Sequence, residues 1–268
     1  MLLNKQELLF EDKRVAYWES GQGEPLLLLH GSGPGASSHG NWRLILEPLS
    51  KHFHVIATDL IGFGESDRKT VEPYFDYDLW FRQATHMLGL FQSDSVNILG
   101  HSLSGALALK LAAHDRRVNK VVTTGTMGAD LPLNPDLDIV WTFPETEDDL
   151  IQAGKTLVYD DSIITQAYID GRKKVLYDGA YKEYFSKMFQ GDKSAYIKAS
   201  ILDAQELTNI KNPVLLIHGR DDDPIPAEGS IKLASELKNA DLIILSKCGH
   251  SVAIEHPEKL VGFIRAFL

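Results

Sequence analysis

The sequence predicts a doubly wound α/β fold, in which a mostly parallel sheet of eight strands carries an inserted helical segment. Short apolar runs alternate with longer amphipathic stretches, a pattern typical of strands followed by helices. From Pro25 onward the strand candidates are apolar at consecutive positions, as expected where both faces of a sheet are covered. Between residues 127 and 210 no convincing core strand appears.

The strand and helix candidates follow one another along the chain with room for a helix between most strands. The predicted strands are residues 8–10, 14–18, 25–30, 54–59, 96–101, 120–124, 214–218 and 242–245. The predicted helices are residues 41–51, 77–91, 103–114, 229–238 and 257–268. The last helix has a one-sided apolar stripe, which indicates that it packs on the sheet.

The segment 127–210 departs from this alternation. It contains short helix-like stretches rich in Tyr and Phe, with Pro132, Pro135 and Pro144 near its start. A loop of that length without secondary structure would be unusual in a compact domain. We therefore predict a core of residues 1–126 and 211–268, with residues 127–210 forming a helical cap inserted into it.

Composition narrows the classes of function. The chain has 268 residues, a net charge of −10 and one cysteine, Cys248. The acidic balance argues against a nucleic-acid or anionic-membrane partner, and a single cysteine excludes an intrachain disulfide or a multi-cysteine metal site. No apolar run approaches the roughly 20 residues that span a bilayer, and charged residues interrupt the start, where a signal peptide would be apolar. We expect a cytoplasmic protein that acts on a small molecule.

A strand-to-helix turn places Ser102 where a nucleophile is expected. The run Val-Asn-Ile-Leu-Gly-His-Ser-Leu-Ser-Gly (96–105) has this serine at its corner. Such a turn is strained and pushes the hydroxyl above the sheet, so small residues are needed two positions before and after it. Gly100 and Ser104 meet these demands, although glycine is usual at the second. The alternative is an ordinary turn in which a serine caps the helix; the strand before and the helix after favour the nucleophile.

A serine nucleophile needs a base to accept its proton and an acid to orient that base. In such folds the chain order is nucleophile, acid, histidine. Asp221, Asp222 and Asp223 follow one strand candidate, and the spacing to a preceding glycine and a following proline favours Asp222 as the acid. Asp221 and Asp223 are interpreted as turn or capping residues. His250 is the predicted base, because no other histidine after the acid lies at the end of a strand.

The loop His-Gly-Ser-Gly-Pro-Gly (30–35) follows a buried strand candidate and is predicted to hold the oxyanion. We assign the two donors to the backbone N–H groups of Ser32 and Leu103, with the Ser32 hydroxyl as a further contact. A phosphate-binding loop is the competing interpretation, but the Lys-Ser or Lys-Thr ending and the dinucleotide spacing are both absent. A second turn, residues 59–66, is interpreted as support beneath this loop.

Together these residues resemble the α/β-hydrolase superfamily over essentially the whole chain. Residues 30–36 are similar to the oxyanion loop of the meta-cleavage product hydrolases, which cleave a C–C bond in ring-opened aromatic catabolites. The stretch 157–165 followed by Gly171 and Arg172, and Ser-Lys-Cys-Gly-His (246–250) followed by Glu255 and His256, are similar to the same family. The resemblance implies a serine hydrolase without cofactor or metal that forms a dimer or tetramer.

The resemblance also implies substrate-binding residues. In that family a cap arginine binds the acid end of the substrate, and Arg172 matches its position; the alternative is a surface arginine on a cap helix. Gly31, Gly33, His101 and Ser251 are the other residues expected around the substrate. At the last two positions the family usually has asparagine before the nucleophile and tryptophan after the base.

Three functions remain open from the sequence. The favoured one is hydrolytic C–C cleavage of a 2-hydroxy-6-oxo-dienoic acid, with esterase activity through the same residues. The Gly-His-Ser sequence around His101 is frequent in esterases and lipases, so a carboxylesterase for small esters is the second. The third is a small-ligand receptor of the same fold, although no particular residue of the sequence indicates it.

Overall fold

The computed structural model describes residues 4–268, so the first three residues of the predicted core lie outside the described part of the chain. Eight strands form one sheet in the order β1-β2-β4-β3-β5-β6-β7-β8. Strands β1 and β2, and β2 and β4, are antiparallel, and the other neighbours are parallel. The predicted eight-stranded, mostly parallel sheet is confirmed. The strands are β1 (Asn4–Phe10), β2 (Lys13–Ser20), β3 (Glu24–Leu29), β4 (Phe53–Thr58), β5 (Val96–His101), β6 (Val118–Thr124), β7 (Val214–Gly219) and β8 (Ala240–Leu245).

Thirteen α-helices connect or cover these strands in residues 4–268, together with a 3₁₀ turn at Asp161–Ile163. They are α1 (Ser38–Trp42), α2 (Leu46–Ser50), α3 (Tyr77–Leu88), α4 (Leu103–His114), α5 (Pro135–Val140), α6 (Glu147–Lys155), α7 (Gln166–Leu176), α8 (Tyr181–Met188), α9 (Ser194–Ser200), α10 (Ala204–Asn209), α11 (Glu228–Glu236), α12 (Val252–Glu255) and α13 (Pro257–Phe267).

Two elements differ from their predicted extents. Strand β1 begins at Asn4, because it pairs with β2 through a tight turn in which Glu11 and Asp12 have positive φ. Its outer residues are exposed at the sheet edge and show no apolar pattern. The predicted helix 41–51 is two short helices, because Pro48 cannot donate to residue 44 but is tolerated in the first turn of α2.

The sheet is covered on both faces by separate hydrophobic clusters. In β3, Leu27 and Leu29 belong to one cluster, which includes residues of α3 and α4, whereas Leu26 and Leu28 belong to the other, which includes residues of α13. This alternation explains why the strand is apolar at consecutive positions. The nucleophile candidate therefore leaves β5 from the middle of a doubly covered sheet.

Between β6 and β7 the described chain forms helices α5–α10 and no strand. Aromatic side chains pack within this segment and against the core: the rings of Trp141 and Phe189 stack with 5.1 Å between centroids, and Phe75 contacts Phe189 at 5.6 Å. Helix α10 packs on α4. The division into a core and a cap of residues 127–210 stays a prediction.

Candidate active site

Ser102 lies at the corner between β5 and α4 in a strained backbone conformation, with φ of 59° and ψ of −124°. A positive φ in a residue with a side chain costs roughly 1–3 kcal/mol and is held here by the elements on both sides. A Cβ at Gly100 would lie 2.3 Å from the carbonyl oxygen of Ser104, so only glycine fits. Ser104 is accommodated because its hydroxyl donates to the carbonyl of His30.

His250 and Asp222 meet at the carboxyl edge of the sheet. The distance between His250 Nδ1 and Asp222 Oδ2 is 2.8 Å, and both side chains are buried. Burial alone would raise the pKa of Asp222, but the contacts with His250 and His218 outweigh it and hold this pKa well below its usual range. Asp221 instead accepts from the backbone N–H of Cys248 at 3.4 Å, and Asp223 is exposed.

The serine and the histidine open onto one cavity. Ser102 and His250 both line it, together with His101. Within residues 4–268, no hydrogen bond joins Ser102 Oγ to His250, so the contact between nucleophile and base stays a prediction. Catalytic hydrogen bonds are often loose without substrate.

The predicted oxyanion donors have free backbone N–H groups. Leu103 is the first residue of α4, and across the described chain neither its N–H nor that of Ser32 donates a hydrogen bond to the protein. The Ser32 hydroxyl accepts from the indole Nε1 of Trp141 at 3.0 Å. The N–H groups are thus available for a ligand, and the Ser32 hydroxyl is oriented by the segment above it.

Two buried groups hold this loop in place. The Nε2 atom of His30 accepts from the N–H of Leu60 at 3.0 Å, and burial lowers the pKa of His30 to about 4. The carboxylate of Asp59 accepts from the N–H groups of Ser38 at 2.7 Å and Glu65 at 2.8 Å, and burial raises its pKa to about 6. The turn 59–66 therefore supports the loop, as expected.

His101 lies beside the base. Its Nδ1 is 3.0 Å from the carbonyl oxygen of Thr124, which can only accept, so Nδ1 carries the hydrogen and Nε2 is an acceptor. The ring centroids of His101 and His250 are 4.6 Å apart. Burial, followed by the charge of His250, lowers the pKa of His101 to about 3, so the ring is uncharged at neutral pH.

Arg172 on α7 faces the cavity and holds the glycine-rich loop. Its Nη1 donates to the carbonyl oxygen of Gly35 at 2.9 Å, and its Nη2 donates to that of Pro34. Its Nε is buried without a hydrogen-bond partner in the described chain. The arginine is therefore no free surface residue, and one of its donors remains unused.

The other predicted substrate-binding residues also line the cavity: Gly31, Gly33 and Ser251. A Cβ at Gly31 would lie 3.2 Å from Cβ of Ser102, which leaves little room for a side chain. At Gly33 the nearest atom would be 3.6 Å away, so space alone does not require glycine there.

The cavity has a volume of about 540 Å³, within the usual range for small-molecule sites. Its apolar lining residues include Val140, Leu150, Leu157, Ile163, Ile164, Val175, Leu176 and Ile254, and its polar lining residues include Ser37, His39, Asn41, Arg43 and Arg172. The cavity therefore offers both apolar contacts and hydrogen-bonding groups to a substrate.

Sequence reasoning missed three residues of the site. A Cβ at Gly125 would lie 2.9 Å from His250 Nδ1, so a side chain there would disturb the contact with Asp222; the signal was a glycine directly after a core strand. His218 precedes Asp222 by four residues and touches its carboxylate at 3.1 Å. Trp141 holds Ser32 from a helical segment whose position no motif specifies.

Residues 4–268 contain no helix long and apolar enough to cross a bilayer. In the same part of the chain, no three His, Cys, Asp or Glu side chains converge in a way that could hold a metal ion. Cys248 is buried, and burial raises the pKa of its thiol; this environment suits the packing role expected from the sequence.

Comparison with known proteins agrees with the geometry. A family model described as alpha/beta hydrolase fold matches residues 24–257. The chain belongs to the α/β-hydrolase family. The predicted fold and the prediction of a hydrolase are both confirmed by this match and by the relatives.

Relatives and solved structures define the branch of the family. The chain is 29% identical to a 2-hydroxymuconate semialdehyde hydrolase of Pseudomonas sp. strain CF600, over 98% of this chain and 93% of that protein. It is 31% identical to a 2-hydroxy-6-oxo-2,4-heptadienoate hydrolase of Pseudomonas putida, over 92% and 90% respectively. The structure of a meta-cleavage product hydrolase from Pseudomonas fluorescens IP01 matches with a TM-score of 0.93 at 28% identity, covering 99% of this α/β hydrolase and 97% of that chain. The resemblance to meta-cleavage product hydrolases is confirmed.

Proposed function

We propose that this α/β hydrolase is a serine hydrolase that cleaves a C–C bond in a 2-hydroxy-6-oxo-dienoic acid. The observation that carries the proposal is the 2.8 Å contact between His250 Nδ1 and Asp222 Oδ2, beside a cavity that His250 and Ser102 both line. Its relatives of 29–31% identity are named hydrolases of such acids, and the cavity is large enough for one.

In this proposal Asp222 orients the base. A carboxylate only accepts, so His250 donates through Nδ1 and keeps Nε2 as an acceptor. Nε2 is then the atom that takes the Ser102 proton, and it later returns the proton to the leaving group. The lowered pKa of Asp222 keeps this orienting group ionised throughout the working pH range.

The bond changes follow from the substrate's chemistry. A proton first moves from the 2-hydroxyl to the carbon chain, which gives a 2,6-dioxo form. Ser102 Oγ then attacks the 6-oxo carbon, and the N–H groups of Ser32 and Leu103 stabilise the oxyanion; one such donor is worth roughly 3–4 kcal/mol. Collapse breaks the bond to the neighbouring carbon, whose electron pair leaves as a dienolate of the 2-oxo acid. Water, with His250 as base, hydrolyses the acyl-enzyme.

We assign the orientation of the substrate to polar residues of the cavity. Arg172 and His101 both line the cavity; the Nε–H of the first is buried without a partner in the described chain, and Nε2 of the second is an acceptor. We assign the first to the carboxylate of the substrate, because a charged donor and a carboxylate make a strong hydrogen bond. We assign the second to the 2-hydroxyl, which can donate to it. Gly31, Gly33 and Ser251 leave space beside the reacting carbonyl.

A carboxylesterase is the second candidate, favoured by His101 at a position where the dienoate hydrolases usually have asparagine. The same serine, base and oxyanion donors would serve an ester, because both reactions pass through an acyl-enzyme. The two candidates therefore differ in which substrate is preferred.

The decisive experiment offers the purified protein 2-hydroxy-6-oxo-2,4-heptadienoate and p-nitrophenyl acetate separately. We expect bleaching of the dienoate with a kcat/KM well above that for the ester. Ser102→Ala is expected to lower kcat for both substrates by roughly 10⁴- to 10⁶-fold.

The control variant is Ser95→Ala, which removes an exposed serine just before β5 and should retain full activity. Ester turnover without dienoate bleaching would reject the C–C reaction. Full activity of Ser102→Ala would reject the serine mechanism.

A further inference from the structure

A second histidine, His218, contacts the same carboxylate oxygen as His250. It lies in β7, and its Nε2 is 3.1 Å from Asp222 Oδ2, compared with 2.8 Å for His250 Nδ1. The His218 ring is completely buried. Asp222 Oδ2 is therefore held between two imidazole rings, although the proposed reaction steps use only one of them.

Hydrogen-bond chemistry fixes which nitrogen of His218 carries a hydrogen. Nε2 also lies 2.7 Å from the carbonyl oxygen of Ile225. A carbonyl oxygen only accepts, so Nε2 carries the hydrogen and donates it to Ile225, and this N–H also lies against Asp222 Oδ2 at 3.1 Å. On the other side of the ring, Nδ1 lies 2.6 Å from the hydroxyl of Ser230, a completely buried residue of α11. Ser230 therefore fixes the ring from behind.

Both oxygens of Asp222 are satisfied in this arrangement. Oδ1 accepts from the N–H of Ile225 at 2.9 Å, and Oδ2 accepts from His250 at 2.8 Å and lies 3.1 Å from the hydrogen-bearing Nε2 of His218. A carboxylate with several buried donors is kept ionised and in one orientation. The donor from His218 also draws part of the negative charge of Oδ2 away from His250.

We propose that His218, held by Ser230, is a positioning residue for the hydrolytic reaction. It fixes the carboxylate of Asp222 and moderates the charge that this carboxylate presents to His250. The inference rests on the proposed roles of Ser102, Asp222 and His250, and adds a fourth and fifth side chain behind them.

Few other titratable groups face this pair. From β5, His101 packs beside His250, with 4.6 Å between ring centroids. Asp221 and Asp223 flank Asp222 in its own loop, Asp136 on α5 lies beyond Asp223, and the Cys248 thiol lies in the loop after β8. In the described part of the chain, His250 makes the one side-chain hydrogen bond to Asp222, and His218 is the other side chain in polar contact with it.

Two amide variants of His218 distinguish the effect of losing the N–H donor from the effect of losing the volume of the ring. The amide nitrogen of glutamine falls near the position of Nε2, whereas that of asparagine falls near Nδ1. The assay is p-nitrophenyl acetate hydrolysis, because it does not depend on the dienoate specificity. We expect His218→Asn to lower kcat by about 10- to 100-fold, with KM changed less than about twofold. His218→Gln should stay within about threefold of the wild-type kcat, because it keeps the donor.

The pH profile gives a readout that a loss of packing would not produce. Without the donor, Asp222 presents more charge to His250, which then becomes easier to protonate. In His218→Asn the acidic midpoint of kcat/KM should therefore move upward, by about half a pH unit, and in His218→Gln it should stay in place.

A serine pair supplies the matched control and covers the case in which His218→Asn does not fold. Ser200 is also buried, and its hydroxyl donates to the carbonyl of Ile197 at 2.7 Å, away from the cavity. We expect Ser230→Ala to lower kcat and raise the acidic midpoint in milder form, and Ser200→Ala to change neither.

Equal activity of the His218→Asn and His218→Gln variants would overturn the role of His218. An acidic midpoint of His218→Asn that stays in place or falls would overturn it as well. The proposed function would still hold in either case, provided that turnover by the wild type requires Ser102. If Ser230→Ala behaves like Ser200→Ala, the part assigned to Ser230 is wrong. Wild-type turnover that does not require Ser102 would overturn both proposals.

Discussion

The two halves of the site differ in how completely their polar groups are paired. In the inner half, at the carboxyl ends of β5 and β7, both oxygens of Asp222 and both nitrogens of His218 have partners. In the outer half, under α7, Arg172 has a buried Nε without one in the described chain. The inner half is arranged before substrate arrives, and the outer half leaves a donor for the substrate to satisfy.

The strongest test of this comparison is the acid in the inner half. Asp222→Asn should lower kcat about 10³- to 10⁴-fold, because both oxygens of Asp222 face N–H donors and the NH2 of an amide would have to face one of them; turned toward His250, it favours the wrong tautomer of that ring. Asp221→Asn is the matched control: its carboxylate is 3.4 Å from the N–H of Cys248 and does not touch His250. We expect that variant to keep kcat within about twofold, measured on either substrate. Similar losses in both variants would show that the assignment among the three aspartates is wrong.

The inner half was largely predictable because chain geometry dictates it. A doubly covered parallel sheet, a small residue before the turn and the order serine, aspartate, histidine together locate Ser102, Asp222 and His250 in the sequence. What the sequence did not reveal are partners set by packing across the fold. His218 lies near the end of β7, a strand whose apolar residues are explained by burial in the sheet. Ser230 comes from α11, and no motif links the two residues.

The outer half was less predictable because no sequence motif specifies where its helices pack relative to the sheet. Trp141 donates to Ser32 and stacks on Phe189, and both contacts depend on how the helices after β6 pack in the folded chain. The family resemblance singled out Arg172, but its contacts with the carbonyls of Pro34 and Gly35 are a property of the folded chain. Residues 4–7 of β1 were left out of the predicted strand for a related reason, since they are exposed and carry no apolar period.

A second test measures how much folding stability the protein loses in acid because His101 is buried. Its pKa is lowered to about 3, mainly by burial, whereas an unfolded histidine titrates near 6.5. Below about pH 6.5 this histidine takes up a proton in the unfolded chain but stays neutral in the folded protein. The free energy of unfolding is therefore unaffected by this ring above about pH 6.5 and decreases as the pH falls below it. At pH 5 the loss is about 2 kcal/mol. His101→Asn keeps a donor near Nδ1 and should lessen the fall in unfolding free energy between pH 7 and 5, measured with urea.

The control for that measurement is His52→Asn, which replaces an exposed histidine just before β4. It should leave the pH dependence of stability unchanged. Part of the acid sensitivity should persist in His101→Asn, because burial also lowers the pKa of His30, to about 4. An unchanged fall in stability in His101→Asn would show that this ring titrates in the folded state much as it does in the unfolded chain.

The smallest expected effect belongs to the outer half and decides what Arg172 does. If its free Nε–H binds the substrate's acid group, Arg172→Ala should raise KM for the dienoate about tenfold, in line with a charged hydrogen bond of roughly 1.5 kcal/mol. The KM for the neutral ester should hardly change. If the arginine serves only to hold the loop through Pro34 and Gly35, kcat should fall equally for both substrates, because the oxyanion donor of Ser32 would be displaced. Lys174→Ala, which removes an exposed cation from the same helix, should affect neither substrate.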